Sequence, residues 1–151
     1  MGDTKKNKFR ERNNSSYERK LKNVDLKEGK KKEPYIVFSL KDYDSTQGQT
    51  FQDWEQSEIL ALTLKKLQEI SRLSVIEAQT KGIIKPYPKV PFPPSDKTEF
   101  YHPAHVLPGV TWCSLHVQGK ECVIGYFEDH IFNIVFLDKN HLFWISEKKN
   151  T

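Results

Sequence analysis

The sequence has few of the features that mark secreted, membrane-bound and disulfide-stabilised proteins. Among its 151 residues are only two cysteines, Cys113 and Cys122, which form neither a CxxC motif nor a disulfide framework. Apolar runs long enough for a membrane span or a signal segment are also missing. We therefore expect reduced thiols in a soluble, cytoplasmic protein with no membrane partner.

The motifs of the common cofactor and metal enzymes are missing as well. The chain has no phosphate-cradling glycine motif, no G-x-S-x-G and no H-E-x-x-H. His102 and His105 form the pair HPAH, but no cysteine or carboxylate cluster at a matching spacing accompanies it. No metal site and no cofactor are therefore expected.

Positive charge is concentrated in the first residues. Residues 1–33 hold 12 Lys or Arg and 6 Asp or Glu, a net of +6, while the remainder holds 12 and 14, a net of −2. Residues 1–33 also have few apolar side chains and no sustained period, which predicts a disordered tail followed by one domain over 34–151. The tail is interpreted either as an electrostatic arm for nucleic acid or a ribosome, or as a solubilising extension. The tail lysines that we would place on nucleic acid are Lys30, Lys31 and Lys32.

The first half of the domain is predicted to hold one strand and two helices. A β-rich run over 35–40 predicts the strand. Apolar residues at spacings of three and four predict a long helix over 51–73. Ser74 and Glu77 form a Ser-x-x-Glu capping box, which predicts a second, shorter helix ending near Gly82.

The second half is predicted to be a proline-rich connection followed by an antiparallel meander. Seven prolines prevent regular structure over 84–109. Apolar segments at 110–118, 121–129 and 131–138 are joined by very short turns, and 142–146 adds a further strand. The predicted fold is a two-layer α+β domain in which the meander packs against the two N-terminal helices, in the order β-α-α-β-β-β. The residues that we expect to be buried together are Trp54, Leu60, Leu64, Leu67, Ile124, Ile134 and Phe136.

This order of elements, with the segments LPGVTWCSLHVQ and KECVIGYFEDHIFNIVFLDKNH, resembles the RelE/ParE superfamily of toxin–antitoxin toxins over residues 35–145. Many members of that superfamily cleave messenger RNA in the ribosomal A site, while the ParE branch poisons gyrase, and each is normally silenced by a small antitoxin. The resemblance therefore implies a toxin that is a metal-independent endoribonuclease, with RNA or the ribosome and an antitoxin as partners.

The functional residues of the superfamily carry over only in part. His141 matches the histidine or tyrosine near the end of the last strand. Cys122 falls where many members have an arginine, and Lys120 is the nearby cation that would replace it. The net charge of −2 on the core also departs from the basic surface of such toxins.

RNA cleavage without a metal needs a base, an acid and cations for the developing charge on phosphorus. Histidine suits either proton transfer because imidazole titrates near neutral pH. We predict His141 as the general acid or base and His116 as a second candidate, since strand alternation places His116 on one face with Trp112. Lys139, two residues before His141, is expected to lie near the same face as His141, and Lys139 and Lys120 are expected on the phosphate. The tryptophans expected to contact nucleic acid are Trp112 and Trp144.

The segment DKNH is also typical of a plain polar turn, in which Asp138 and Asn140 serve the backbone. Two other interpretations of the whole domain stay open. The first is a non-catalytic nucleic-acid or protein binding module of a bacterial defence or toxin complex. The second is a small structural partner within such a complex, with its apolar helix face completed by another chain.

Overall fold

The computed structural model describes residues 32–146 of the chain. These residues form five strands and three short helices. Their bounds are β1 Val37–Ser39, α1 Phe51–Gln56, α2 Leu60–Ile70, α3 Val75–Thr80, β2 Ile84–Tyr87, β3 Trp112–Gln118, β4 Glu121–Glu128 and β5 Ile131–Asp138. None of these helices is both long and apolar enough to cross a membrane. The predicted tail falls mostly on residues outside the described range and stays a prediction.

The five strands form one mostly antiparallel sheet, so the α+β class is confirmed. The strand order is β1-β5-β4-β3-β2, and the predicted meander of β3, β4 and β5 is present. The first strand lies parallel to β5 at one edge, and β2 lies antiparallel to β3 at the other. The chain therefore crosses the whole sheet between its first and second strands, and the three helices make that crossing.

The long helix predicted over 51–73 is divided in two. The helix α1 begins at a capping box between Thr50 and Asp53, and it ends at Gln56. Glu58 then takes the left-handed conformation with φ +61°, and Ile59 donates its N–H to the carbonyl of Trp54, 2.9 Å away. This turn starts α2 in a new direction. The capping box predicted at Ser74 is present and begins α3.

Two strand predictions are wrong. The segment 84–109 was expected to lack regular structure, yet β2 forms at its start with Pro86 inside it. Proline is tolerated there because β2 is an edge strand with one unpaired side. The segment 142–146 was expected to be a strand, yet it is irregular, because Asp138 binds its backbone and turns the chain away from the sheet.

Both faces of the sheet are covered, which corrects the two-layer prediction. The three helices cover one face through Trp54, Ile70 and Ala78. The proline-rich connection and the C-terminal segment cover the other face, with Phe100 and Phe143 among the buried side chains. We call these the helix face and the aromatic face of the sheet.

The residues expected to form one core are therefore divided between two. Trp54 and Ile134 are buried on the helix face, and Ile124 and Phe136 on the aromatic face. Leu60 and Leu67 are only partly buried. Leu64 is 60% exposed, so the prediction of its burial is wrong. It lines an open apolar groove of about 400 Å³ between α2 and the sheet.

A polar network ties the loop after β1 to the aromatic face. The phenol of Tyr126 donates a hydrogen bond to the carboxylate of Asp42. Lys41 forms ion pairs with Asp42 at 2.9 Å and with Glu128 at 3.0 Å. Burial, together with the hydrogen bond to Asp42, raises the pKa of Tyr126 to about 12.

This raised pKa predicts a loss of stability at alkaline pH. The phenol has a pKa of about 10 in an unfolded chain. Its contribution to the free energy of unfolding is therefore complete below about pH 10, and it is lost as the pH rises from about 10 to 12. We expect the free energy of unfolding, measured with denaturant in that range, to fall more steeply for the wild type than for Tyr126→Phe. Tyr43 and Tyr87, whose pKa values are also raised, are present in both proteins and contribute equally to both pH dependences. If the free energy of unfolding falls equally steeply with pH in the two proteins, Tyr126 is not the group responsible.

The division of the core predicts a large difference between two truncations. Phe136 is fully buried, so Phe136→Ala should cost about 3–5 kcal/mol in the free energy of unfolding. Leu64→Ala should cost less than about 1 kcal/mol because that side chain is mostly exposed. Denaturant unfolding of both variants measures the two costs, and similar costs would contradict this arrangement.

Candidate functional site

Three side chains from the C-terminal third of the chain meet at one end of the aromatic face. They are His116 near the end of β3, Cys122 near the start of β4, and His141 in the segment that follows β5. One side-chain ligand atom from each lies within 4.8 Å of the other two. The two imidazole rings are stacked, with centroids 5.5 Å apart and planes inclined by 27°.

Strand pairing brings two of these residues together. His116 lies directly opposite Cys122 in the β3–β4 pair, and Cys122 lies directly opposite Asp138 in the β4–β5 pair. Side chains of directly opposite residues project from the same face of a sheet. A row of His116, Cys122 and Asp138 therefore crosses three neighbouring strands.

Asp138 brings the third residue to this row. Its two carboxylate oxygens accept the backbone N–H groups of Leu142, at 2.9 Å, and Phe143, at 2.8 Å. The carboxylate is buried, and the turn that it closes contains His141 in the left-handed conformation with φ +60°. This turn folds the chain back over the sheet and lays the His141 ring on that of His116.

Hydrogen bonds to the backbone orient both imidazoles. The Nδ1 atom of His141 lies 3.0 Å from the carbonyl oxygen of Trp144, and Nδ1 of His116 lies 3.1 Å from that of Gly119. A carbonyl oxygen only accepts, so Nδ1 is the donor in each ring. In the neutral rings, Nε2 then carries the lone pair, which is the atom that accepts a proton or binds a metal.

The three side chains differ in access to solvent. His116 is exposed, His141 is half-buried and Cys122 is buried. Burial raises the pKa of the Cys122 thiol to about 12, and the nearby carboxylates of Asp138 and Glu121 add to the shift. Because the thiolate is the nucleophilic form of cysteine, Cys122 is not a nucleophile near neutral pH without a bound cation. The cluster is therefore accessible to solvent from the side of His116.

Lys139 does not join the histidines, so the prediction that it shares a face with His141 is wrong. Its amine donates a hydrogen bond of 3.0 Å to the hydroxyl of Ser57, next to α1 on the helix side. The prediction assumed strand alternation beyond Asp138, but the chain is already turning there. Lys120 is exposed in the turn after β3, next to the Gly119 carbonyl that binds His116.

The two predicted tryptophans have different surroundings. Trp112 is only 3% exposed and stacks on Phe136, with centroids 5.6 Å apart, so its ring is not accessible to a nucleic-acid base. Trp144 is partly exposed and stacks on Tyr87 with centroids 4.8 Å apart. It lines a surface pocket of about 460 Å³ together with Lys89 and other residues. Of the tail lysines, Lys32 is exposed, while Lys30 and Lys31 lie outside the described residues.

Lys85 and Tyr87 are site neighbours that the sequence prediction missed. Lys85 lies directly opposite Ser114 in the β2–β3 pair, on the face that His116, two residues along β3, also occupies. Its amine lies 5.5 Å from the centroid of the Tyr87 ring. This strand had no clear signal in the sequence, because β2 has only four residues, its burial does not alternate and Pro86 lies inside it.

Comparison of the chain with models of protein families, with curated proteins and with solved structures finds no match. The resemblance to RelE/ParE toxins therefore stays a prediction.

The role of Asp138 predicts the effect of an isosteric change. Asp138→Asn replaces one acceptor oxygen with an amide that cannot accept the N–H of Leu142 or Phe143. Loss of one buried hydrogen bond of this kind typically costs about 1–3 kcal/mol. We expect that loss in the free energy of unfolding, measured with denaturant. An unchanged free energy would show that the turn does not depend on this carboxylate.

Proposed function

We propose that the protein is a toxin-type endoribonuclease that cleaves messenger RNA without a metal ion, with His116 and His141 as its acid and base. The observation that supports this proposal is the convergence of the two imidazoles at an exposed position on one face of the sheet. Paired proton transfer by two histidines is sufficient chemistry for cleaving RNA at a ribose.

The geometry suits the two proton transfers. In cleavage, one imidazole removes the proton of the ribose 2′-hydroxyl, and the 2′-oxygen attacks phosphorus. The bond from phosphorus to the 5′-oxygen breaks, and the other imidazole gives that oxygen its proton. One ring nitrogen of each histidine lies within 4.8 Å of the other, so both can come within hydrogen-bond reach, about 3 Å, of oxygens on one phosphate. The products carry a 2′,3′-cyclic phosphate and a 5′-hydroxyl.

Lys85 replaces Lys139 in this proposal as a cation for the phosphate. It shares the aromatic face with His116, whereas Lys139 is hydrogen-bonded to Ser57 on the helix side. Lys120, exposed in the turn beside His116, is the second cation. Two such charges stabilise the negative charge that grows on phosphorus in the transition state.

The pocket beside Trp144 is the proposed contact for a neighbouring nucleotide. Trp144 lines this pocket, and its backbone carbonyl accepts the hydrogen bond from His141, so one residue connects the pocket with the histidine pair. Its lining combines an indole ring with the lysines Lys89 and Lys97. Aromatic stacking with adjacent positive charge is how proteins bind single-stranded RNA without reading its sequence.

The same pocket favours the alternative of a non-catalytic RNA-binding module. The two functions are separated by asking whether bound RNA is cut, because the pocket accounts for binding alone. The antitoxin partner and the ribosome implied by the resemblance are further parts of the proposal that this experiment does not require.

The proposal predicts a set of cleavage rates. Purified full-length protein in excess EDTA should cut single-stranded RNA and leave a 2′,3′-cyclic phosphate. His116→Gln and His141→Gln should each lower the single-turnover rate by about 10²–10⁴-fold, because each removes one proton transfer. Gel analysis of end-labelled RNA gives the rates and identifies the product ends.

Two matched controls make this test specific. His105→Gln alters an exposed histidine that binds the Asp42 carbonyl and should leave the rate unchanged. Lys85→Gln should slow cleavage, whereas Lys139→Gln should not. If folded wild-type protein binds RNA without cutting it, free or on ribosomes, the binding module is correct and the ribonuclease proposal is wrong.

A further inference from the structure

We infer that His116, Cys122 and His141 form a binding site for one zinc ion, with the fourth coordination position open to solvent. This inference departs from the expectation of no metal site. It concerns the same side chains as the proposed ribonuclease but does not depend on their being catalytic.

The separations of the ligand atoms are close to those of a zinc site. Tetrahedral zinc with bonds of about 2.0–2.1 Å to nitrogen and 2.3 Å to sulfur holds its ligand atoms roughly 3.3–3.6 Å apart. The sulfur of Cys122 already lies 3.8 Å from Nε2 of His116, the ring nitrogen that is left free for a metal. No pair in the cluster exceeds 4.8 Å. Zinc distances would then need movements of the ligand atoms by no more than about 1–1.5 Å.

The hydrogen bonds of the two imidazoles are those that metal-binding histidines make. Such a histidine almost always donates its other ring N–H to a carbonyl, a carboxylate or water, which fixes the tautomer and the ring orientation. Here the Gly119 and Trp144 carbonyls accept from Nδ1 of His116 and His141. Both Nε2 atoms are thereby left with lone pairs for a metal.

The charges around Cys122 favour a bound cation. Asp138 lies directly opposite Cys122 in the β4–β5 pair, and Glu121 directly precedes Cys122 in β4. The negative charges of these two carboxylates attract a divalent cation. Cysteine binds zinc as the thiolate, so binding would release the thiol proton to the solvent.

The ligand types select the metal. Two imidazoles and one thiolate suit zinc or copper, whereas magnesium and calcium prefer oxygen ligands. Three protein ligands with an open fourth position are typical of a zinc site that binds water or a substrate. The position left open lies on the side of His116, the exposed member of the three.

Bound zinc and acid–base catalysis would use the same nitrogen atoms. Zinc coordinated by both Nε2 atoms blocks the two proton transfers of the proposed ribonuclease. Metal binding is therefore measured directly by spectroscopy, and cleavage is measured in EDTA. Failure of either proposal can then be recognised without reference to the other.

Cobalt(II) substitution tests the inference on the full-length chain. Protein freed of metal with a chelator is titrated with cobalt(II) chloride under reducing conditions. We expect saturation at one equivalent, with a thiolate-to-cobalt charge-transfer band in the near ultraviolet and the visible bands of tetrahedral cobalt. Zinc chloride should displace the cobalt and abolish both signals.

Variants identify the ligands. Cys122→Ser should lose the charge-transfer band, while Cys113→Ser, which removes the buried thiol on the helix face, should keep it. His116→Gln removes a ligand at an exposed position, so it should raise the Kd for zinc at least about tenfold. Circular dichroism checks the folding of each variant.

Three results would overturn the inference. The first is a wild-type spectrum without a thiolate band. The second is a band that survives in folded Cys122→Ser or disappears in folded Cys113→Ser. The third is a zinc Kd that His116→Gln and His141→Gln both leave unchanged, which also decides the matter if Cys122→Ser does not fold.

Discussion

The buried carboxylate of Asp138 is the interaction on which the candidate site depends. It lies at the end of β5, directly opposite Cys122, and both of its oxygens accept backbone N–H groups of the segment that follows. Without these acceptors the N–H groups of Leu142 and Phe143 would have no partner at this end of the sheet, at a cost in free energy. With them the chain reverses, Phe143 enters the aromatic layer and His141 reaches His116.

The coverage of both sheet faces explains why the site is at the end of the sheet. Helices close one face, and the proline-rich connection closes the other with a layer of contacting aromatic rings. Phe143 packs against Phe136 and Phe100 in that layer, with centroids 6.0 Å and 5.7 Å apart. Beyond the layer, the row of His116 and Cys122 continues the same face. The packed layer therefore gives the histidines a fixed support while one of them stays exposed.

The sequence predicts the parts of this structure that follow from local periodicity. Alternation of apolar residues indicated the meander, and the same alternation placed His116 on the face that it occupies. The division of the long helix had no such signal, because Glu58 adopts a positive φ that is unusual for a residue other than glycine. The edge strand β2 was hidden by Pro86, which only its position at the sheet edge makes acceptable.

The rest of the site depends on the register of the strands and on the turn after β5, which apolar alternation alone does not specify. Cys122 was interpreted as a replacement for an arginine, yet the register of three strands makes it the buried member of a histidine cluster. Lys139 was placed beside His141 because an extended chain was assumed. The acceptance of backbone N–H groups by Asp138 invalidates that assumption and sends Lys139 to Ser57.

The central claim is that the two imidazoles act together on one phosphate. A double-mutant cycle on the rate of RNA cleavage tests it, with His116→Gln and His141→Gln made singly and together. Groups that act in one step are strongly non-additive, so we predict that the double variant is no more than about tenfold slower than the slower single variant. Rate losses that multiply in the double variant would show that the two histidines act independently, and would contradict the account.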